Sequence, residues 1–216
     1  MLQKDTEFGT KEALFIRPTQ KRGERTIDNI FSAAKDLVKT GQPDMLSSRE
    51  LSKRSGYSIG SIYHYFKKID DVFISLFIER RNKTYKIILE KIQQHDPAQD
   101  VDVFIKMIVD LTFHEFKNNN NPQLTRWIVR QFLKRSKEPE KLGAIIDTLV
   151  PSVLQLIARD QTGTFVALSE NEARLKLRAI QVVIRSPFFE CDPMAGTEEH
   201  YNLSCQVGVR LFKTDP

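Results

Sequence analysis

Cysteine is nearly missing from this chain: Cys191 and Cys205 are the only two in 216 residues. Two thiols cannot make a disulfide framework, and nothing beside either marks a redox switch, so both are expected as reduced, buried small residues. Long apolar runs are missing too. No stretch approaches the roughly 20 residues needed to cross a bilayer, which excludes a helical membrane span. The opening segment MLQKDTEFGTKEALFIRPTQ has no continuous apolar core of the signal-peptide kind, so a cytoplasmic protein is expected. Catalytic and metal-binding spacings are also lacking. The histidines His64, His95, His114 and His200 fall into neither HxxxH nor HExxH spacing, and no GxSxG, GxxxxGK[ST] or GxGxxG motif occurs. His114 and Glu115 are adjacent, so on a helix they point different ways and make poor partners for a metal or a proton relay. No metal, no cofactor and no enzymatic activity are expected.

What is present begins with charge. From Met1 to Lys68 there are 13 lysines and arginines against 8 acidic residues. From Ile69 to Pro216 there are 20 of each, so the whole excess of +5 lies in the first third. A basic head on a neutral body suits a polyanion-binding module joined to a segment with another task. Charge alone would not decide this, because +5 is ordinary for a chain of this size.

The segment Leu46–Phe66, LSSRELSKRSGYSIGSIYHYF, lies inside that head. Ser47-Ser48-Arg49-Glu50 has the spacing of a capping box, in which Glu50 reaches back to the start of the helix. Leu51 gives that helix its apolar face, and Ser52 is small enough for a close crossing. Gly56 stands where a tight turn needs a positive φ. A second short helix is expected from Tyr57, with Ile59, Ile62, Tyr65 and Phe66 at three- and four-residue steps. Two short helices around such a turn are a helix-turn-helix, whose second helix enters the major groove of DNA. Ahead of it, Ile27, Ile30, Phe31, Ala34, Leu37 and Val38 recur at helical spacing between Arg25 and Lys39. Ile30, Phe31, Leu51, Ile62, Tyr65 and Phe66 are the expected core of the head.

The rest of the chain reads as helix after helix. One begins near Asp70, with Asp70 and Asp71 at its positive end, and runs toward His95 and Pro97. Further amphipathic segments span approximately 100–117, 122–136, 138–159, 170–184 and 198–212. The run Asn118-Asn119-Asn120-Asn121-Pro122 reads as a loop, and Ser169-Glu170-Asn171-Glu172 as a second capping box. Ser186-Pro187 is expected to stop the helix before it. The chain is therefore expected to be all-α, with about nine helices. Its expected organisation is a flexible basic arm over 1–24, a helix-turn-helix DNA-binding domain over 25–69 and a helical body over 70–216.

The run GYSIGSIYHYFKKIDDVF, residues 56–73, resembles the DNA-binding signature of the TetR family of bacterial transcriptional regulators. The matching elements are Gly56, the small pair Gly60-Ser61, Ile62-Tyr63-His64-Tyr65-Phe66, a basic pair and an acidic start to the next helix. The motif covers about 50 residues, and the remaining two thirds resembles the family only in helix count. One position departs: where family members often carry a lysine there is Ile69, which passes a phosphate contact to Lys67 or Lys68.

By this resemblance Ser58, Ile59, Ser61 and His64 are the base-reading candidates, with Ile59 suited to a thymine methyl. Gly60 admits close backbone approach, and Tyr63 and His64 match positions that touch phosphate or bases. Arg25, Ser47, Ser48, Arg49, Lys67 and Lys68 are the phosphate candidates. The resemblance further implies a two-fold homodimer on a palindromic double-stranded operator. Its interface would lie on the last two long helices, through Leu175, Leu177, Ile180, Val183, Ile184, Leu203, Val207 and Leu211. The same residues are equally expected if they close the core of a single chain. A small-molecule effector of apolar character is implied as well, with Phe104, Met107, Ile108, Leu111, His114, Trp127, Ile128 and Gln131 as candidate lining. Ordinary core packing is the competing reading for each. Two other functions stay open at this point: a ligand-independent architectural DNA binder, and an enzyme with an unrecognised site.

Overall fold

The computed structural model describes residues 20–40, 45–117, 122–135 and 145–214. Nine helices account for most of them: α1 (Lys21–Thr40), α2 (Ser48–Ser55), α3 (Ile59–Tyr65), α4 (Ile69–Gln93), α5 (Val101–Lys117), α6 (Pro122–Arg135), α7 (Val150–Ala158), α8 (Glu170–Glu190) and α9 (Glu198–Phe212). The all-α expectation holds. Among the described residues the only β-type pairing is a single antiparallel bridge between Phe165 and Lys213. No helix among them is long and apolar enough to cross a membrane. The loop expected at 118–121 and the arm up to residue 19 lie outside the described residues.

The chain divides into two compact units, Met1–Arg81 with Asn120–Pro139, and Asn82–Asn119 with Glu140–Pro216. In the first, α2 packs on α1 and α3 packs on α2. Their shared core is Ile30, Leu37, Leu51, Ile62 and Phe66, all fully buried. Phe31, half-buried, sets its ring edge-on against Phe66 with centroids 5.6 Å apart. Tyr65 is only half-buried and packs edge-on against His64, so it borders this core without completing it. Also in this unit, the α6 residue Trp127 meets Phe73 of α4 edge-on at 6.4 Å.

In the second unit, α9 packs against α5 and α8, and α7 against α8. One aromatic cluster joins His95, Phe104, Phe165 and Phe212. Another joins Phe113, Phe116, Phe188 and His200. Edge-on, tilted and stacked ring pairs of this kind add to the area they bury. Gly208 marks the closest approach: a Cβ there would lie 2.6 Å from both Ile105 Cγ2 and Ile180 Cδ1. The guanidinium of Arg159 gathers carbonyls at and just past the end of α4, donating to Ile92 O, Gln93 O and His95 O at 3.2, 2.9 and 3.0 Å. An arginine at a helix C-terminus satisfies acceptors that the helix cannot.

Several boundaries differ from the sequence reading, each for a local reason. Helix α1 starts at Lys21, four residues ahead of Arg25, with Glu24 in its first turn where an acid is favoured. The segment expected over 138–159 is broken where it is described: a helical turn at 145–147 ends in a turn at Thr148-Leu149 before α7 begins. Pro151 explains the break, since it lacks the N–H that would bond to Asp147 and its ring crowds that carbonyl.

Pro187, by contrast, does not stop α8, which runs on to Glu190. Proline removes the hydrogen bond to the Val183 carbonyl, and a buried histidine supplies another. His200 Nε2 lies 3.2 Å from Val183 O, while His200 Nδ1 accepts from the Gly196 N–H at 3.2 Å. The helix then closes on Cys191 in the left-handed region, φ 57°. Neither cysteine is buried as expected. Cys191 is exposed because it caps a helix end, and Cys205 is half-buried on α9. Desolvation pushes the Cys205 thiol up, which makes it a poorer nucleophile.

Candidate nucleic-acid interface

The helix-turn-helix is built by short polar contacts around one glycine. Ser47 Oγ accepts from the Glu50 N–H at 3.2 Å, capping α2. Glu50 does not return to complete the expected capping box; its Oε1 instead accepts from Arg54 Nε at 3.0 Å, one turn along. Gly56 ends α2 at φ 75°, and its N–H donates to Ser52 O. No neighbouring atom would meet a Cβ at Gly56, so the backbone conformation alone selects glycine.

The second helix starts at Ile59, not Tyr57, because Ser58 is its cap. Ser58 Oγ accepts from the Ser61 N–H at 3.1 Å. Tyr57 is held in the turn instead. Its carbonyl accepts from Ser52 Oγ at 2.6 Å and its phenol oxygen accepts from Asn29 Nδ2 at 3.1 Å. That hydrogen bond to Asn29, followed by one to Thr26, lowers the phenol's pKa. At the far end, Asp71 Oδ2 accepts from the Lys68 N–H at 2.9 Å and so starts α4.

With α3 fixed this way, Ile62 and Phe66 turn inward and the DNA-binding candidates turn out. Arg25, Arg49, Ser58, Ile59, Gly60, Tyr63, His64, Lys67 and Lys68 are exposed, and Ser47, Ser48 and Ser61 are half-buried. None of the twelve is buried. Ile59 and Tyr63 are 41% and 46% exposed, high values for side chains of this size. A Cβ on Gly60 would approach only Ser58 Oγ, at 3.8 Å, so the chain's own packing does not require glycine there.

The candidates in the body are distributed differently. On α5, in the second unit, Phe104 and Ile108 are buried, Met107 and Leu111 half-buried and His114 exposed. On α6, in the first unit, Ile128 is buried, and Trp127 and Gln131 are half-buried. Phe104 belongs to the aromatic cluster around Phe165. The buried polar residue of α5 is Thr112, which the sequence reading passed over. It accepts from Gln181 Nε2 at 3.3 Å, and Gln181 Oε1 accepts from Tyr85 OH at 3.3 Å. A polar residue at an apolar step of the helical period was the available signal.

Of the eight dimer candidates, Leu177, Ile180 and Ile184 are buried in the chain's own core. Val183, Val207 and Leu211 are half-buried. Leu175 and Leu203 are exposed, joined by Val182, which the sequence reading omitted. Among the described residues, no group of three or more His, Cys, Asp and Glu side chains is placed to hold a metal ion.

A basic head with a capped, glycine-turned helix pair and an outward second helix defines a helix-turn-helix DNA-binding protein. Comparisons with known proteins give the class a name. The family model for bacterial regulatory proteins of the tetR family matches residues 30–76. No curated protein matches the sequence. Among solved structures, the chain is similar to one assigned to the TetR-family transcriptional regulators from Mesorhizobium loti MAFF303099. There the TM-score is 0.62 at 14% identity, over 90% of this chain and 100% of that one. A TetR transcriptional regulator from Rhodococcus sp. RHA1 is similar with TM-score 0.58 and 13% identity, covering 87% and 96%. The fatty acid degradation regulator FadR from Bacillus halodurans follows with TM-score 0.54 and 18% identity, covering 86% and 97%. Residues 30–76 of the head thus match the model of the tetR family of bacterial regulatory proteins, and the all-helical chain has the fold of solved TetR-family regulators.

Proposed function

We propose that this chain is a homodimeric, sequence-specific transcriptional repressor of the cytoplasm, released from a palindromic operator by a small apolar effector. The observation that carries the reading is the outward set on α3, Ser58, Ile59, Gly60, Tyr63 and His64, over an inward Ile62. Base edges are met by this set, while Arg25, Ser47, Ser48, Arg49, Lys67 and Lys68 hold phosphates and fix register. The head spans 25–69 and the body 70–216. Dimerisation uses the exposed apolar residues of α8 and α9, Leu175, Val182 and Leu203, since one short reading helix contacts too few base pairs to specify a site. The effector is bound in the body, and its binding favours the state that releases DNA.

Selection of bound sequences from a random double-stranded DNA pool, with affinities at two salt concentrations, tests the reading. An enriched palindrome is the expected result. Weak, salt-sensitive binding with no enrichment would replace the regulator with an architectural DNA binder. On the selected site, Ser61→Ala or His64→Ala is expected to relax sequence preference at a cost of about 1–3 kcal/mol. Lys67→Ala is expected to weaken binding to all DNA alike and to lessen its salt dependence.

A further inference from the structure

The reading helix is unusual in what it cannot do. Its seven residues, IGSIYHY, include no arginine, lysine, asparagine, glutamine or carboxylate. Guanine is recognised best by the paired donors of arginine or lysine, adenine by the amide of asparagine or glutamine, and the cytosine amino group by a carboxylate. None of these recognition modes is available from α3.

Its hydroxyls are already engaged with each other. Ser58 Oγ accepts from the Ser61 N–H at 3.1 Å, and the two serine oxygens lie 2.8 Å apart. Ser58 is held to its capping role, and Ser61, whose hydroxyl pairs with it, joins His64 and the phenol of Tyr63 as the polar groups of this side.

Two large apolar side chains face outward beside them. Ile59 and Tyr63 stand four residues apart, hence one above the other on the helix surface. Their exposure, 41% and 46%, sets them apart from the other large apolar residues of α3, Ile62 being fully buried and Tyr65 half-buried. The apolar group that DNA offers in its major groove is the thymine 5-methyl.

We propose that Ile59 and Tyr63 together form an apolar contact for thymine methyl groups, and that methyl burial adds to hydrogen bonding in selecting each half-site. The inference rests on α3 being the helix that enters the groove. It makes A·T the preferred pair at the positions under these two residues. A cytosine bearing a 5-methyl group presents the same apolar surface and stands in for thymine in part.

The test uses the unmodified protein and the operator recovered by selection, with binding followed by fluorescence anisotropy. Each thymine is replaced singly by uracil, which keeps the base pair and the O4 acceptor and removes only the methyl. A loss of about fourfold per methyl is expected at one or two positions in each half-site, the equivalent of one buried carbon. Ile59→Ala should abolish the uracil effect at its position, because the two changes remove the same contact. Cytosine there should bind more weakly than 5-methylcytosine. Uracil that is neutral at every position of a specifically bound operator overturns the inference and leaves the regulator reading intact. Failure to recover any operator removes that reading, and this inference with it.

Discussion

Helices α3 and α8 pose the same question to a sequence reader and answer it differently. In α3 one side packs inward: Ile62 and then Phe66 at its end are buried, while Ile59, Gly60, Tyr63 and His64 face out. In α8 the apolar residues wrap around most of the circumference. Leu177, Ile180 and Ile184 enter the chain's own core, while Leu175 and Val182 face out, 66% and 57% exposed. A short helix with one packed side is oriented by its period. A helix with two apolar stripes is not, because periodicity gives the stripes and not which partner each one meets.

Substitutions can break this comparison. The largest effect is expected between two leucines two residues apart. Leu177→Ala should destabilise the chain by about 2–5 kcal/mol in denaturant unfolding, the usual range for a truncated core leucine. Leu175→Ala should stay within about 0.5 kcal/mol at a concentration where the protein is monomeric. Equal losses for the two would place both in one core and remove the outward stripe.

Gly208→Ala should come next. Its new Cβ would press on Ile105 and Ile180, and overpacking of this kind costs about 1–3 kcal/mol in thermal or chemical unfolding. In the head, Gly56→Ala should cost about 1–2 kcal/mol for a different reason. There is open space around the site, and the left-handed backbone itself is the penalty.

Gly60→Ala should run the other way. It lies inside α3 with room for a methyl, so the head should gain up to about 1 kcal/mol of stability while operator binding weakens. A variant stabilised and equally tight on DNA would show that the backbone at this position does not approach the duplex.

The smallest effect concerns the two serine–glutamate spacings. Hydrogen bonds from Ser169, through its hydroxyl and its backbone N–H, hold the Glu172 carboxyl below its ordinary value. The stabilisation is therefore fully present above the ordinary glutamate range and fades as pH falls through the lowered value. Unfolding followed from pH 7 into the acid range should show a weaker slope in Glu172→Gln. Glu50→Gln has no such box to lose and removes the ion pair with Arg54 instead.

These contrasts also explain what was legible in the sequence. Glycine at the turn, serine before the first short helix and the inward pair Ile62 and Phe66 are local requirements of the backbone, and local requirements leave marks in the residues. The start of α3 was misplaced by two residues because Tyr57 resembles a helical apolar residue, and only Asn29, 28 positions away, shows what holds it in the turn. Glu50 was misassigned because Arg54 competes for it. Thr112 and Gln181 were passed over because they are two polar residues on separate helices, and their relation exists only once α5 and α8 are packed.

Pro187 is the clearest case of a distant residue overriding a local signal. With one ring nitrogen accepting from Gly196, the other nitrogen of a neutral His200 must carry the hydrogen that reaches Val183. The ring is thus committed to a single tautomer, occupied at both ends and enclosed by Phe113 and Phe188. Losing it would register as a folding lesion at the α8–α9 junction, the kind that genetics finds far from any DNA contact and that a refolding assay, not a binding assay, would diagnose.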